Sequence, residues 1–421
     1  MTVLSHLRKK VGLAAIVMGL LPALVLSACR AGQPAKGFQQ AAAESGPSGQ
    51  TRYVMAHYMP WFEASPNHNR WGWHWTMNHY RPDHLVDGHP EVASHYFPLI
   101  GLYDSNDPDL LECHAQLMKL AGIDGAIIDW YGTDNLYDYP QVHRNAQHLI
   151  AVLERAGLHF AICYEDQTVP KLIANHLLAP QDAVAHGQAL LQWLQTHWFA
   201  SPAYLRIDGR PVLLVFGGGY YRSDQWKQIF APLPEPPLLF TELGRRDPAI
   251  GGFGWPVPDG GTAKSEQELD SFYRRAKDWP RFIPAAYPRF HDIYAEAGVG
   301  KSWGSIEDRD GKTYTQTLER ALLSRASIVQ LVTWNDWGEG TMIEPSVEYG
   351  YRDLEITQRL RRKRADPAFA YTAQDLRLPI QLYLQRKKAH GDPARRAKLD
   401  KVSQLLFAGH IDRAKVLLKG Y

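Results

Sequence analysis

Cysteine is scarce in this chain, with three residues in 421: Cys29, Cys113 and Cys163. That leaves no framework of disulfides, and Cys113 and Cys163, in an apparent helix and an apparent strand, read as two buried free thiols. Paired histidine ligands of the His-Glu-x-x-His kind are missing, so no metal is expected. No glycine-rich dinucleotide turn follows the first strand-like run, and no cofactor is expected. Charge of one sign is missing as well: 46 Lys and Arg face 44 Asp and Glu, for a net charge of +2. Outside the cluster Arg361-Arg362-Lys363-Arg364, which reads as a solvated helix end, nothing resembles the basic face that a nucleic-acid partner would require. The bias of a disordered or fibrous chain is also absent, since 45% of residues are hydrophobic and 21% charged.

The one long apolar run lies at the start. His6, Arg8, Lys9 and Lys10 precede an apolar stretch over 11–28 that ends in Leu26-Ser27-Ala28-Cys29. This pattern looks like a lipoprotein signal with a lipobox, cut before Cys29 after that thiol is acylated. The competing reading is an uncleaved membrane anchor of about the minimum spanning length. Removing residues 1–28 takes away Arg8, Lys9 and Lys10 and no acid, so the formal charge falls from +2 to −1. Residues 29–50 are small and polar and read as a flexible tether. The expectation is a lipid-anchored protein of the bacterial cell envelope, on the periplasmic or outer-surface side, that touches the membrane through its anchor alone and acts as a monomer.

From residue 51 onward, strand-like and helix-like runs alternate. Eight candidate strands fall at 53–58, 125–129, 159–164, 211–216, 237–241, 251–255, 281–286 and 328–333, several of them the continuous apolar runs of strands buried on both faces. Helical patterns at 108–121, 141–156, 181–198, 265–278 and 315–324 lie between most of them. Eight such units predict an α/β fold, a (β/α)8 TIM barrel over 51–348, with an open doubly wound sheet as the alternative. Residues 349–421 are richer in Lys and Arg, with helical spacing at 376–388 and 397–418. They predict a small C-terminal helical appendage, with a helical-hairpin turn near 405–414.

In a barrel of this kind the functional residues follow the strands. Polar and aromatic residues do gather there: Tyr58 and Trp61 after the first, Asp129, Trp130 and Tyr131 after the second, Glu165 after the third, Trp255 after the sixth, Tyr287 after the seventh. A long loop adds Asn67 through Trp75, including Trp73 and His74, which form either a sugar-binding wall or an aromatic lid. The richest loop follows the eighth run: Thr333-Trp334-Asn335-Asp336-Trp337-Gly338-Glu339-Gly340-Thr341, with Glu344 just beyond. Two carboxylates three residues apart between indoles suit cleavage of a glycosidic bond, where one acid protonates the leaving oxygen and a second group acts as base or nucleophile.

Tyr58-x-Pro60-Trp61, Gly125-x-x-x-Asp129-Trp130-Tyr131 and above all Trp334-Asn335-Asp336-Trp337-Gly338-Glu339-Gly340-Thr341-x-Ile343-Glu344-Pro345 resemble glycoside hydrolase family 99, the endo-α-mannosidases and endo-α-mannanases, and its wider clan, which includes WbsX-like proteins related to glycosyltransferases. The resemblance covers residues 52–348. It implies a (β/α)8 barrel that hydrolyses α-linked mannose-containing glycans with retention and without a metal. Glu339 matches the general acid/base, and Asp336 matches the residue that helps the substrate's own 2-hydroxyl attack the anomeric carbon. Two positions depart from the motif: Asp336 replaces a glutamate longer by one carbon–carbon bond, about 1.5 Å, and Gly338 stands where an imidazole often does. The expected partner is therefore an oligo- or polysaccharide, with Asp336 and Glu339 catalytic and Tyr58, Trp61, Trp73, His74, Asp129, Trp130, Tyr131, Glu165, Trp255, Tyr287, Trp334, Asn335, Trp337 and Glu344 binding substrate. The alternatives are a glycan-binding surface lipoprotein that lost catalysis and a WbsX-like glycan-modifying transferase.

Overall fold

The computed structural model describes residues 52–65 and 70–420. The expected signal, Cys29, the tether and Asn67, His68 and Asn69 lie outside the described residues.

Eight parallel strands form a nearly closed barrel: β1 (Tyr53–Tyr58), β2 (Gly125–Trp130), β3 (His159–Tyr164), β4 (Arg210–Val215), β5 (Leu238–Glu242), β6 (Gly251–Phe253), β7 (Ala285–Ala286) and β8 (Ile328–Leu331). Strands β1 to β6 pair in sequence, and β8 pairs with β1 on one side and β7 on the other. The ring closes where Phe253 bridges Ile283, just ahead of β7. All eight runs expected from the sequence are strands. The seventh is regular over two residues only, because Pro280, Pro284 and Pro288 remove backbone donors around it. At the start of β2, Gly125 permits close pairing, since a Cβ there would sit 1.9 Å from the His159 carbonyl oxygen.

Helices α1 (Pro108–Ala121), α2 (Tyr139–Ala156), α3 (Ala183–His197), α4 (Ser223–Phe230), α5 (Gly261–Ala276) and α6 (Lys312–Leu323) lie between the strands. Helix α1 shows how the local sequence sets the bounds. The Asp107 side chain accepts the N–H of Asp109, Pro108 fills the first helical position, and Gly122 ends the helix at φ 80°. Helix α4 was not among the expected elements. It carries a short apolar stripe of Trp226, Ile229 and Phe230 within eight residues.

The tail forms α7 (Arg352–Arg364), α8 (Arg377–Lys388), α9 (Pro393–Phe407) and α10 (Ile411–Leu418). Buried polar contacts join it to α1: Gln116 Nε2 donates to Ser403 Oγ (2.9 Å), Gln358 Nε2 to the Leu120 carbonyl (2.7 Å), and Arg386 Nη1 to Glu112 Oε2 (2.6 Å). The basic cluster at the end of α7 is not simply solvated, which corrects its reading from composition. Arg361 forms a fork on Asp124 at 2.6 and 3.1 Å, and Lys363 and Arg364 share Glu319. Asp124 in turn accepts the N–H of Val54, so the cluster's first arginine supports the entry to β1.

Alternation along the strands divides the core in two. Val54, Ala56, Tyr58, Ala126, Ile128, Trp130, Ile162 and Tyr164 face the helices. Met55, Ile127, Ala161, Cys163, Leu214, Phe240, Phe253 and Ile328 fill the barrel interior. One step further toward the carboxyl ends, the inward parity falls on His57, Asp129, Phe216, Glu242, Trp255 and Gln330.

Candidate active site

The loop after β8 is held on every side before any substrate arrives. Trp334 N–H donates to the His57 carbonyl (2.6 Å), and Asn335 forms a reciprocal pair with the backbone of Met59, accepting its N–H at 2.8 Å and donating to its carbonyl at 3.0 Å. Ser94 Oγ donates to the Trp337 carbonyl (2.9 Å), while the N–H groups of His291 and Ile293 donate to the carbonyls of Glu339 (2.8 Å) and Gly338 (3.0 Å). Gly340 is required at the turn: its φ is +68°, and a Cβ would meet Tyr96 at 2.8 Å and the His291 carbonyl at 2.9 Å.

This frame aims the carboxylates. Asp336 N–H donates to Thr333 Oγ1 (2.8 Å), and Asp336 Oδ1 accepts the N–H of Glu339 (3.0 Å). Tyr294 donates its hydroxyl to Glu339 Oε1 at 3.3 Å. Burial raises the Asp336 carboxyl to about 7, against the opposing pull of the N–H groups of Glu339 and Gly338. Burial, and then the charge of Asp336, hold Glu339 well above the ordinary carboxylate range. Glu165 is also raised to about 7 by burial, with Lys171 opposing and Glu242 reinforcing the shift. Asp129 is raised by burial and by the charges of Glu165 and Asp336. These interactions bring Asp129, Glu165, Asp336 and Glu339 together at one mouth, with Glu242 and Asp292 nearby.

An aromatic wall stands on one side. Trp61 stacks on His74 (4.2 Å, 6°) and lies at 6.4 Å from Tyr131. Exposed Trp73 meets the His74 edge, and His74 Nε2 lies 3.4 Å from Asp138. Trp255 is half-buried and packs edge-on against His57 at 4.9 Å.

Seven residues expected to bind substrate do not reach this mouth. Tyr58 and Trp130 face the helices, where the Tyr58 hydroxyl meets His114 Nδ1 (2.9 Å) and Trp130 packs on Trp193 and Trp198. Strand parity is the reason: their neighbours His57 and Asp129 take the inward positions. Trp334 is wholly buried beside His114, and Trp337 donates its indole N–H to the Tyr103 hydroxyl (3.0 Å). The side chain of Asn335 is occupied by Met59 and Tyr103. Glu344 accepts from Tyr103 (2.8 Å) and pairs with His114 (3.1 Å), so it holds the loop. Tyr287 is buried with its hydroxyl on Ser265 (3.0 Å). The indoles of Trp334 and Trp337 therefore do not flank the carboxylates as their spacing suggests.

Tyr294 and Glu242 escaped the sequence reading. Glu242 ends β5, one residue past the expected run, and the rule that active residues follow strands would have found it. Tyr294 follows the polar pair His291-Asp292 but had no strand beside it to mark it. At Gly338, a Cβ would approach Met77 Cε to 3.1 Å and Asp336 Oδ1 to 3.6 Å, so a larger side chain there requires the flexible end of Met77 to give way.

No family model matches the chain. Among curated proteins it is 23% identical over 359 residues to uncharacterized protein WxcX of Xanthomonas campestris, covering 75% of this chain and 50% of that one. The chain thus spans about half the length of that relative. It is also 23% identical over 339 residues to the glycoprotein endo-alpha-1,2-mannosidase of Mus musculus, covering 70% of this chain and 68% of that protein. The structure of the GH99 endo-alpha-mannosidase from Bacteroides thetaiotaomicron matches with a TM-score of 0.54 at 19% identity, over 78% of this chain and 98% of that one. The barrel is GH99-like. A second solved structure, named glycoside hydrolase-like protein, matches this GH99-like barrel with the same TM-score of 0.54 at 15% identity.

Proposed function

We propose that this chain is a retaining glycoside hydrolase acting on a neutral, α-linked, mannose-containing glycan at the cell envelope. The observation that carries the proposal is the pair Asp336 and Glu339, two carboxylates on one rigid loop whose surroundings hold their proton affinities apart. Glu339, kept protonated by burial and by its neighbour, is the acid that protonates the glycosidic oxygen. Asp336, which ionises near 7, accepts the proton of the substrate's 2-hydroxyl as that oxygen attacks the anomeric carbon from the face opposite the leaving group. The leaving sugar departs with the proton from Glu339. Glu339, now a carboxylate, then deprotonates the water that opens the 1,2-anhydro sugar at the anomeric carbon, and the proton on Asp336 returns to the 2-oxygen. Two inversions give net retention.

The acidic mouth supports a neutral substrate. Asp129, Glu165, Glu242, Asp292, Asp336 and Glu339 surround it, burial and mutual repulsion already disfavour negative charge among them, and an anionic glycan would add to it. Trp61, His74 and Tyr131 supply flat faces for the C–H surface of a sugar. One observation favours the second reading, a glycan binder without turnover: Asp336 Oδ1 is spent on its own loop. The experiment that separates the two incubates the protein with α-mannan and α-glucan oligosaccharides and follows products by NMR. Release of an α-anomer first from the mannan, whose 2-hydroxyl lies trans to the leaving group, supports the proposal, whereas an α-glucan, whose 2-hydroxyl is cis, serves as the control that this step cannot cleave. Binding without cleavage of any of these glycans contradicts it.

The location proposal rests on the residues around Cys29. Fatty-acid labelling of the full chain in a bacterial host is expected to mark wild type and to be lost in Cys29→Ser. Equal labelling of both rejects the anchor.

A further inference from the structure

Three adjacent strands each place one ligating side chain at the floor of the barrel mouth. His57 lies on β1, Asp129 on β2 and Cys163 on β3, with Asp129 and Cys163 directly paired across the strands. One ligand atom from each lies within 4.8 Å of the others. The three are 1%, 2% and 0% exposed. By distance and angle both ring nitrogens of His57 and Oδ2 of Asp129 are buried without a hydrogen-bond partner, although the Gln330 amide lies close enough to act on the imidazole. Leaving such groups unpaired is costly, and an apolar floor like the layer beneath it would avoid that cost. Donor atoms of three different residue types thus share one small dry space.

We propose that His57, Asp129 and Cys163 form a binding site for a single divalent cation of borderline softness, zinc or cobalt in character. The donor set selects the class: imidazole and thiolate suit zinc-like ions, whereas calcium and magnesium take six or more oxygens. One thiolate and one carboxylate supply two negative charges, which balance a dication where the low dielectric makes any residual charge costly. Tetrahedral bonds of about 2.0–2.3 Å place ligand atoms about 3.5 Å apart, a spacing compatible with atoms that already lie within 4.8 Å of one another. Gln330 sits beside His57 with Oε1 buried and unpartnered, placed to accept the N–H of the imidazole nitrogen that does not bind and so to fix the tautomer. Three protein ligands leave the fourth position for water. On binding, the Cys163 thiol and any protonated Asp129 carboxyl give their protons to solvent as the bonds from sulfur and carboxylate oxygen to the cation form, with no change of oxidation state. The site does not depend on the hydrolase reading.

The test adds cobalt(II) to the purified, chelator-stripped full chain. One equivalent is expected to bind and to produce a thiolate-to-cobalt charge-transfer band in the near ultraviolet, together with the visible bands of a tetrahedral site. Cys163→Ser removes the near-ultraviolet band, whereas Cys113→Ser and Cys29→Ser keep it. His57→Gln keeps the band but weakens affinity by at least about tenfold. If Cys163→Ser fails to fold by circular dichroism, Asp129→Asn takes its place, with the same tenfold loss expected. Zinc is also expected to raise the melting temperature of wild type, because it binds the folded form. No band in wild type, a band that survives Cys163→Ser, or unchanged affinity in His57→Gln or Asp129→Asn overturns the site and leaves ordered water as the partner of these groups.

Discussion

Asp336 and Glu339 have the same chemistry and different surroundings. Asp336 is buried but accepts from the backbone of its own loop, and it titrates near 7. Glu339 adds the repulsion of Asp336 to its own burial, which together hold it well above the ordinary carboxylate range. A reaction that needs Asp336 ionised and Glu339 protonated therefore gains rate as pH rises through about 7, and loses it where Glu339, raised by burial and by the charge of Asp336, gives up its proton. The two limbs belong to the pair rather than to either residue alone. The expected profile of kcat against pH has its acid limb near 7, well above where ordinary carboxylates titrate. A maximum near pH 4–5, where ordinary carboxylates titrate, would exclude these assignments. At this scale the sequence revealed the residue types and missed their directions. The runs at 53–58 and 125–129 are apolar on both faces, so nothing in them tells which of His57 and Tyr58, or of Asp129 and Trp130, points inward. The structure settles that parity through what each side chain touches.

At the scale of elements, the loop after β8 owes its shape to a buried polar network beneath it. Tyr103 joins Glu344, Asn335 and Trp337, and His114 joins Glu344 and Tyr58. Glu344→Ala leaves His114 Nε2 and the hydroxyl proton of Tyr103 without their partner in the core, two buried losses of about 1–3 kcal/mol each, roughly 3–5 kcal/mol together. A urea midpoint shift of that size is expected, together with lost turnover, because the backbone that aims Glu339 is no longer fixed. A shift under about 1 kcal/mol, the worth of a surface pair, would show that the network does not hold the loop. The strands were legible because their apolar runs are long and bounded by turns. Helix α4 was not, since eight residues with three apolar positions give a weak period. The network itself was invisible, because its members come from three regions far apart in sequence.

Across the whole molecule, the tail and the barrel share buried charges. Arg386 pairs with Glu112 at 2.6 Å and with Asp400 at 2.7 Å, and lies 3.4 Å from Asp109, which also pairs with Arg396. We propose that 349–420 is a docked part of the same folding unit. Arg386→Ala leaves Glu112 and Asp109 with less countercharge at the α1 surface, and a loss of roughly 3 kcal/mol is expected in a single unfolding transition. Calorimetry showing two transitions, with the barrel's own unchanged, would count against this. Helical spacing made the tail's helices readable, while their attachment to α1 rests on pairings between residues nearly three hundred positions apart.

The central claim, that the carboxylates after β8 make the GH99-like barrel a hydrolase, is tested most directly by Glu339→Gln. The amide keeps the shape of the side chain and its contact with Tyr294 but cannot deliver a proton. On the glycan that wild type cleaves, turnover is predicted to fall by about 10² to 10⁴, with affinity by calorimetry within a few-fold of wild type. Full turnover in Glu339→Gln, or loss of turnover and binding together, would contradict the account.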